Sequence, residues 1–136
     1  TVGTTAFNQV PNGIGGIEHR MDLMYQGVVT SNISLERWVE LCCTAPAKLF
    51  GLQSRKGSIA AGADADIVIY DPKGTTTISS KTHHMNLDYS AYEGITVEGA
   101  VNQVLLRGNT IVRNGQFIGD ATGGRFVRRE LSDVIR

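Results

Sequence analysis

The sequence predicts an α+β fold, with helices in the first third of the chain and short antiparallel strands after it. Apolar residues recur at helical spacing between residues 34 and 50, and from Lys56 onward they alternate with a period of two. Two dipeptides typical of hairpin turns, Gly108-Asn109 and Asn114-Gly115, fall in this second region. The chain is therefore expected to change from helical to β structure close to Gly51.

Two helical segments are expected in the first third of the chain. A short amphipathic helix is predicted from Met21 to Gly27, where the glycine would end it. Ser34 precedes a stronger apolar pattern and is a good N-cap for a second helix. The apolar residues on one face of that helix are Leu35, Trp38, Val39, Cys42 and Ala45. Thr44-Ala45-Pro46 is expected to interrupt it and to begin another helix that buries Leu49 and Phe50.

Short strands are predicted in the rest of the chain, because β-branched and aromatic residues cluster between turn residues there. The predicted extended segments are 58–60, 67–70, 75–79, 101–107, 110–112, 116–118 and a last edge strand at 126–127. Asp71-Pro72 is expected to end the strand over residues 67–70, since proline cannot donate a ladder hydrogen bond.

Size and composition limit the function of the chain. It has 136 residues, whereas a complete (β/α)8 barrel needs about 250. The formal net charge is zero and no apolar run approaches the roughly 20 residues that span a bilayer, so neither nucleic acid nor a membrane is expected as partner.

The only cysteines, Cys42 and Cys43, are adjacent, so reduced thiols and a cytoplasmic location are expected. Thr1 stands where an initiator Met would, so the native amino terminus is expected upstream.

Three groups of residues invite a chemical interpretation. Glu18-His19-Arg20 contains an acid and a base, but adjacent side chains diverge, so charge pairing at a helix end is favoured. His83-His84 suggests a metal site, yet consecutive histidines point apart in a strand and zinc needs three or four converging ligands. The carboxylates Asp64, Asp66 and Asp71 lack the spacing of a calcium loop, so a role in capping turns is favoured.

Four blocks of the sequence resemble cyclic amidohydrolases of the dihydropyrimidinase/D-hydantoinase group. They are Val10–Arg20 with its Pro11-Asn12-Gly13 turn, the glycine-rich acidic cassette Lys56–Pro72, Thr82–Gly94, and the basic Arg125–Arg129. The resemblance implies an α/β enzyme made of a TIM barrel and a β-sandwich, of which this chain is the carboxy-terminal portion. Residues 1–54 would form the last loop and helices of the barrel. Residues 55–119 would belong to the sandwich, with a connecting loop at 80–95, and 120–136 would form a tail.

The resemblance also implies a reaction. Two divalent metal ions, with zinc expected, would activate a hydroxide that attacks the ring amide of a hydantoin or dihydropyrimidine, giving an N-carbamoyl amino acid. The metal ligands and catalytic residues of this family would lie upstream, so this chain is expected to supply neither and to be inactive alone. Asn12 is implied to contact the cyclic diamide substrate, largely through its backbone N–H and C=O. On residue types alone, Pro11-Asn12-Gly13 favours a plain turn.

The resemblance further implies a homo-oligomer, a dimer or tetramer, that assembles through the carboxy-terminal region. Two other interpretations stay open: a non-catalytic relative of dihydropyrimidinase, and a stand-alone β-rich interaction domain.

If the chain is part of a barrel enzyme, some apolar residues should lack cover within it. The stripe expected to be poorly covered is Trp38, Val39, Cys42 and Leu49.

Overall fold

The computed structural model describes residues 6–10, 13–120 and 123–131. The helical part comprises a 3-10 turn (Phe7–Gln9), α1 (Arg20–Val29), α2 (Leu35–Val39), a π-helical turn (Glu40–Thr44) and α3 (Ala45–Leu49). The strands are β1 (Ile67–Thr77), β2 (Thr96–Leu106), β3 (Asn109–Arg113) and β4 (Gln116–Phe117). This is the α+β arrangement that the sequence predicts. In the described part of the chain, every helix is too short or too polar to cross a bilayer.

The four strands form one antiparallel sheet in chain order, with β1 at its edge. The ladder between β1 and β2 extends from the pair Ile67 and Leu105 to the pair Thr77 and Thr96. The prediction that Asp71-Pro72 ends the strand was wrong, because β1 continues to Thr77. An edge strand tolerates proline, and the register shift between Asp71 and Thr75 absorbs the missing donor.

Both predicted hairpin turns exist, one of them shifted by a residue. The turn between β2 and β3 is Arg107-Gly108, with φ of 49° and 82°, and Asn109 already belongs to β3. The turn between β3 and β4 is Asn114-Gly115, with φ of 50° and 73°. Positive φ at both central residues is what a type I′ hairpin requires.

Two of the predicted strands are not strands. Residues 58–60 lie in a turn-rich segment, and Gly57 within it has φ of 80° and lies against α3. A Cβ at Gly57 would lie 2.7 Å from the carbonyl oxygen of Cys43, so only glycine allows this close approach. Residues 126–127 have no regular structure, because the tail instead joins the end of α3, where the Glu130 N–H donates to Gly51 O.

Helix α1 also differs from its prediction. It begins at Arg20 and continues through Gly27 to Val29, so glycine does not end it. A mid-helix glycine costs only about 1 kcal/mol relative to alanine. Ile33 packs at this position, since a Cβ on Gly27 would lie 3.1 Å from its Cγ1. Tertiary packing therefore outweighs the local preference.

The second helical segment begins as predicted and continues differently. The Ser34 hydroxyl accepts a hydrogen bond from the Arg37 N–H at 3.2 Å, which confirms the N-cap. The expected break before Pro46 is absent, because the π-helical turn carries the chain into α3 with Pro46 in its first turn. The Thr44 hydroxyl caps nothing and instead donates to Gly57 O at 3.0 Å.

An aromatic cluster of Tyr25, Trp38 and Tyr70 joins the helices to the sheet. The ring centroids are 4.9 to 5.1 Å apart, and the Trp38 indole N–H donates to Met21 O at 3.1 Å. Gln26 of α1 bonds the backbone of Glu98 on β2 through both its amide N–H and its amide oxygen. The helical segment and the sheet therefore share one core.

The burial of α2 and α3 corrects two predictions. Trp38 is only 5% exposed and Cys42 is also buried, so neither belongs to a poorly covered stripe. Leu49 and Phe50 were predicted to be buried by the second helical segment, but they are 50% and 56% exposed. The exposure of Leu49, like that of Val39, agrees instead with the poorly covered stripe that the sequence also predicts. The aromatic rings of α1 and β1 cover one side of this segment, while the other side finds no equivalent cover among the described residues.

Candidate active-site loop

The loop that carries Asn12, residues 10–19, is the candidate site, and we call it the Asn12 loop. Pro11 and Asn12 themselves lie outside the described residues. Directly after them, the carbonyl oxygen of Gly13 accepts a hydrogen bond from the Tyr89 hydroxyl at 3.0 Å. Tyr89 belongs to the β1–β2 connection, residues 78–95, which has no regular helix or strand. The Gly13–Ile14 peptide is thus tied to Tyr89, which lies 76 residues later in the sequence.

The middle of the Asn12 loop also touches the β1–β2 connection. A Cβ on Gly15 would lie 2.2 Å from Cδ1 of Leu87, so Leu87 occupies the space that a side chain at residue 15 would need. Any larger residue there would require the Leu87 side chain to move. The glycine therefore permits close packing between the two segments.

The end of the loop is held by a polar contact between Glu18 and His84. The Glu18 carboxylate accepts from the His84 backbone N–H at 2.7 Å and lies 2.8 Å from His84 Nδ1. Burial would raise the pKa of Glu18, but the hydrogen bonds and charge of His84 outweigh that effect. The pKa of Glu18 consequently lies below its ordinary value.

The histidine pair of the connection points in two directions. His84 faces Glu18, whereas His83 Nε2 lies 2.7 Å from the carbonyl oxygen of Leu87. The His83 ring stacks on buried His19, with centroids 6.1 Å apart and planes at 16°. Glu18 and His19, adjacent in sequence, therefore contact different partners, as the sequence predicts. Nowhere in the described ranges do three His, Cys, Asp or Glu side chains come together as a metal-binding group would require.

A buried carboxylate, that of Asp22, lies in the first turn of α1. Asp22 is 6% exposed, and its Oδ1 finds no hydrogen-bond partner within the described part of the chain. Burial raises the pKa of Asp22, although Tyr70 and His19 partly oppose the shift. Burial and the nearby Asp22 charge likewise raise the pKa of Tyr70. Asp22 and Tyr70 thus form a coupled pair at the edge of the aromatic cluster.

The carboxylates of the cassette form ion pairs and hydrogen bonds that stabilise the fold. Asp64 accepts from Arg55 at 3.0 Å through both oxygens and pairs with Lys56 at 2.8 Å; these contacts hold the pKa of Asp64 below its ordinary value. Asp66 pairs with Lys56 and accepts from the Arg107 N–H of the first hairpin turn at 2.8 Å. Asp71 accepts from the Lys73 N–H at 2.9 Å within β1, where the register shifts between Asp71 and Thr75. The turn-capping interpretation therefore holds for Asp66, which bonds the β2–β3 turn, whereas Asp64 is an ion-pair partner and the bond to Asp71 lies within a strand.

Sequence reasoning singled out the block containing the β1–β2 connection but missed what it touches. The contacts of Tyr89 with Gly13, Leu87 with Gly15, and His84 with Glu18 join segments 66 or more residues apart. No local sequence pattern indicates such long-range contacts. An alignment of covarying positions is the signal that could reveal them.

Comparison with known proteins identifies the family. A family model described as "Amidohydrolase family" matches residues 4–111. D-hydantoinase of Streptomyces coelicolor is 48% identical over 134 residues, which are 98% of this chain and 29% of that protein. D-phenylhydantoinase of Escherichia coli O1:K1 is 49% identical, covering 91% of this chain and 27% of that protein. The crystal structure of dihydropyrimidinase from Brevibacillus agri NCHU1002 superposes with a TM-score of 0.86 at 50% identity, covering 91% of this chain and 27% of that one.

The chain spans less than a third of the length of these relatives. Its similarity to them nevertheless extends over nearly all of its own residues, at identities near one half. The resemblance noted in the sequence is thereby confirmed, and the chain belongs to the amidohydrolase family, with D-hydantoinases and a dihydropyrimidinase among its relatives.

Proposed function

We propose that this chain is the carboxy-terminal part of a metal-dependent cyclic amidase. The intact enzyme would hydrolyse the ring amide of dihydropyrimidines or hydantoins to N-carbamoyl amino acids. The observation that carries this proposal is the match to D-hydantoinase over 98% of the chain but only 29% of the relative. Nearly the whole chain matches less than a third of an enzyme, and this is best explained if the chain is one part of a similar enzyme.

The exposed apolar surface supports the same proposal. Val39, Leu49 and Phe50 on the helical segment are exposed, as are Val68 and Ile69 on the edge strand β1. Each such side chain contributes roughly 1.5–3 kcal/mol when it is fully buried, so leaving several exposed is costly. A larger body that covers this surface would remove the cost.

Within that enzyme we assign Asn12 to substrate binding through its backbone N–H and C=O. An imide ring edge offers a C=O beside an N–H, and a turn can present the complementary pair. Gly13 and the rest of the described loop follow directly, and their contacts with the β1–β2 connection would keep that turn in place.

The two metal ions of the proposed enzyme do not fit the described residues of this chain. His83 and His84 are engaged by Leu87 O and Glu18, and the described ranges hold no group of three candidate ligands. We therefore assign the metal ligands and the catalytic residues to the part of the enzyme upstream of Thr1.

Two further features support a proposed cytoplasmic location and a proposed homo-oligomer. Cys42 and Cys43 are free thiols, and thiols stay reduced in the cytoplasm. In the tail, Phe126 and Leu131 are exposed apolar side chains next to the basic residues of 125–129. We propose that this tail contacts a second subunit of a homo-oligomer.

The relatives named above are enzymes by name, and this favours the catalytic interpretation over a non-catalytic relative or a stand-alone domain. The test compares the intact protein with the 136-residue chain, each supplied with Zn²⁺ or Mn²⁺ and assayed on hydantoin and dihydrouracil. We expect turnover by the intact protein and none by the chain alone. Failure of the metal-loaded intact protein on both substrates would overturn the proposal.

A further inference from the structure

We infer that the β1–β2 connection positions the Asn12 loop for substrate binding, with the Tyr89 hydroxyl as its principal positioning group. This inference rests on the proposed function, because it concerns how the loop presents Asn12 to a cyclic diamide. Tyr89 would touch no reacting atom. It would act through the backbone that follows Asn12.

The first reason is the place of the Tyr89 hydrogen bond. Its acceptor is the carbonyl oxygen of Gly13, the residue directly after Asn12. Glycine has the widest backbone freedom of any residue, and nothing lies within 4 Å of the position where a Gly13 Cβ would be. No side chain in the described part of the chain packs at that position, and the Tyr89 hydrogen bond is the contact that restrains Gly13 there.

The second reason is that three more contacts join the loop to the same connection. Leu87 fills the space beside Gly15, the Tyr92 ring lies beside Gly16, and His84 holds the Glu18 carboxylate through its backbone N–H and its ring. These contacts are spread over residues 13 to 18 of the loop and 84 to 92 of the connection. A segment held at several points has fewer conformations to lose when substrate binds.

The kinetic consequence follows from what Asn12 is proposed to do. A backbone donor and acceptor bind a ring edge only when the peptide planes are correctly turned, so a looser loop should weaken substrate binding. Removing one neutral hydrogen bond that orders such a loop should raise KM about three- to tenfold. The metal-bound chemistry lies elsewhere in the enzyme, so kcat should change less than about twofold.

The experiment uses the intact protein that contains this chain, with the variant Tyr89→Phe and the matched control Tyr92→Phe. The Tyr92 ring lies beside Gly16 of the loop, and its hydroxyl forms no hydrogen bond within the described residues, so phenylalanine keeps the ring contact and removes only the hydroxyl. Steady-state kinetics are measured on hydantoin and dihydrouracil, together with metal content and melting temperature. We expect a higher KM in Tyr89→Phe alone, with kcat, metal content and melting temperature close to the wild type.

An unchanged KM in Tyr89→Phe overturns the inference, and so does an equal rise in the Tyr92→Phe control. Amide hydrogen exchange over residues 13–18, measured without substrate, should be faster in Tyr89→Phe than in the wild type or the control. An active wild type with unchanged exchange and KM in Tyr89→Phe overturns the positioning role alone. A wild type that hydrolyses neither substrate overturns the proposed function, and the substrate role of Tyr89 fails with it.

Discussion

The aromatic cluster and the outer face of the α2–α3 segment (Val39, Leu49 and Phe50) are both apolar, yet the described chain buries only the aromatic cluster. Tyr25, Trp38 and Tyr70 pack with ring centroids about 5 Å apart, and the Trp38 N–H has a backbone acceptor. Leu49 and Phe50, on the same helical segment, are half exposed. The two regions differ in the partners that the chain provides, since their side chains are of similar hydrophobicity.

This difference agrees with the proposal that another part of the intact enzyme packs on the outer face of the helical segment. A groove of about 510 Å³ lies between it and the cassette, with Trp38, Cys42 and Tyr70 on the covered side and Val39 and Phe50 on the open side. Large apolar side chains at the mouth of a groove are typical of a surface that another body covers. The following predictions test this comparison in the 136-residue chain, starting with the largest effect.

The largest effect is expected from Trp38→Ala. It removes a ring that is 5% exposed, both of its aromatic contacts and the hydrogen bond to Met21 O. We expect a loss of about 3–5 kcal/mol in the free energy of unfolding, typical of an aromatic residue deleted from a core. Urea denaturation followed by circular dichroism measures it. A loss below about 1 kcal/mol would mean that the cluster is no better covered than the outer face.

A smaller effect of opposite sign is expected from Asp22→Asn. The folded-state pKa of Asp22 is raised, so burying the charged carboxylate lowers the stability of the chain at neutral pH. That cost disappears as the pH falls through the folded-state pKa towards the ordinary pKa of 3.8. The amide should stabilise the chain at pH 7 by about 1–3 kcal/mol, and the gain should shrink towards pH 4. Melting temperatures at both pH values measure this. A less stable variant at pH 7 would mean that the carboxylate has a favourable net contact with Tyr70.

Glu18→Gln tests the polar contact at the end of the Asn12 loop. The folded-state pKa of Glu18 is lowered, so its contribution is present above the ordinary value of 4.5 and is lost as the pH falls through the folded pKa. We expect the variant to be less stable by about 0.5–1 kcal/mol at pH 7 and equal to the wild type near pH 3. Denaturant midpoints across this range provide the measurement. A difference that does not depend on pH would assign the effect to packing instead of charge.

The smallest effect on the chain is expected from Phe50→Ala. Because Phe50 is more than half exposed, its truncation should change the stability of the 136-residue chain by less than about 0.5 kcal/mol. The same substitution in the intact protein should cost several times more, if the rest of the enzyme covers this ring. Parallel denaturation of both proteins gives the comparison. Equal small losses in both would show that Phe50 stays exposed and would weaken the argument from uncovered surface.

Local sequence rules predicted the features that depend on a few neighbouring residues. The Ser34 cap and the Asn114-Gly115 turn were correct, and the β2–β3 turn was misplaced by one residue. The errors arose where packing outweighed local preference. Gly27 did not end α1 because Ile33 packs against it, and Pro72 did not end β1 because that strand lies at the sheet edge.

The sequence by itself determined the α+β order of elements and, through its motifs, the family. The role of Asn12 remains a prediction, because that residue lies outside the described ranges. Only the tertiary structure decided that Trp38 is covered while Phe50 is not, and that Tyr89 and His84 hold the Asn12 loop. Caps, turns and periodicity act over a few residues, whereas these contacts join residues 66 and 76 positions apart. These residues are in contact because the sheet places the β1–β2 connection beside the segment that precedes α1.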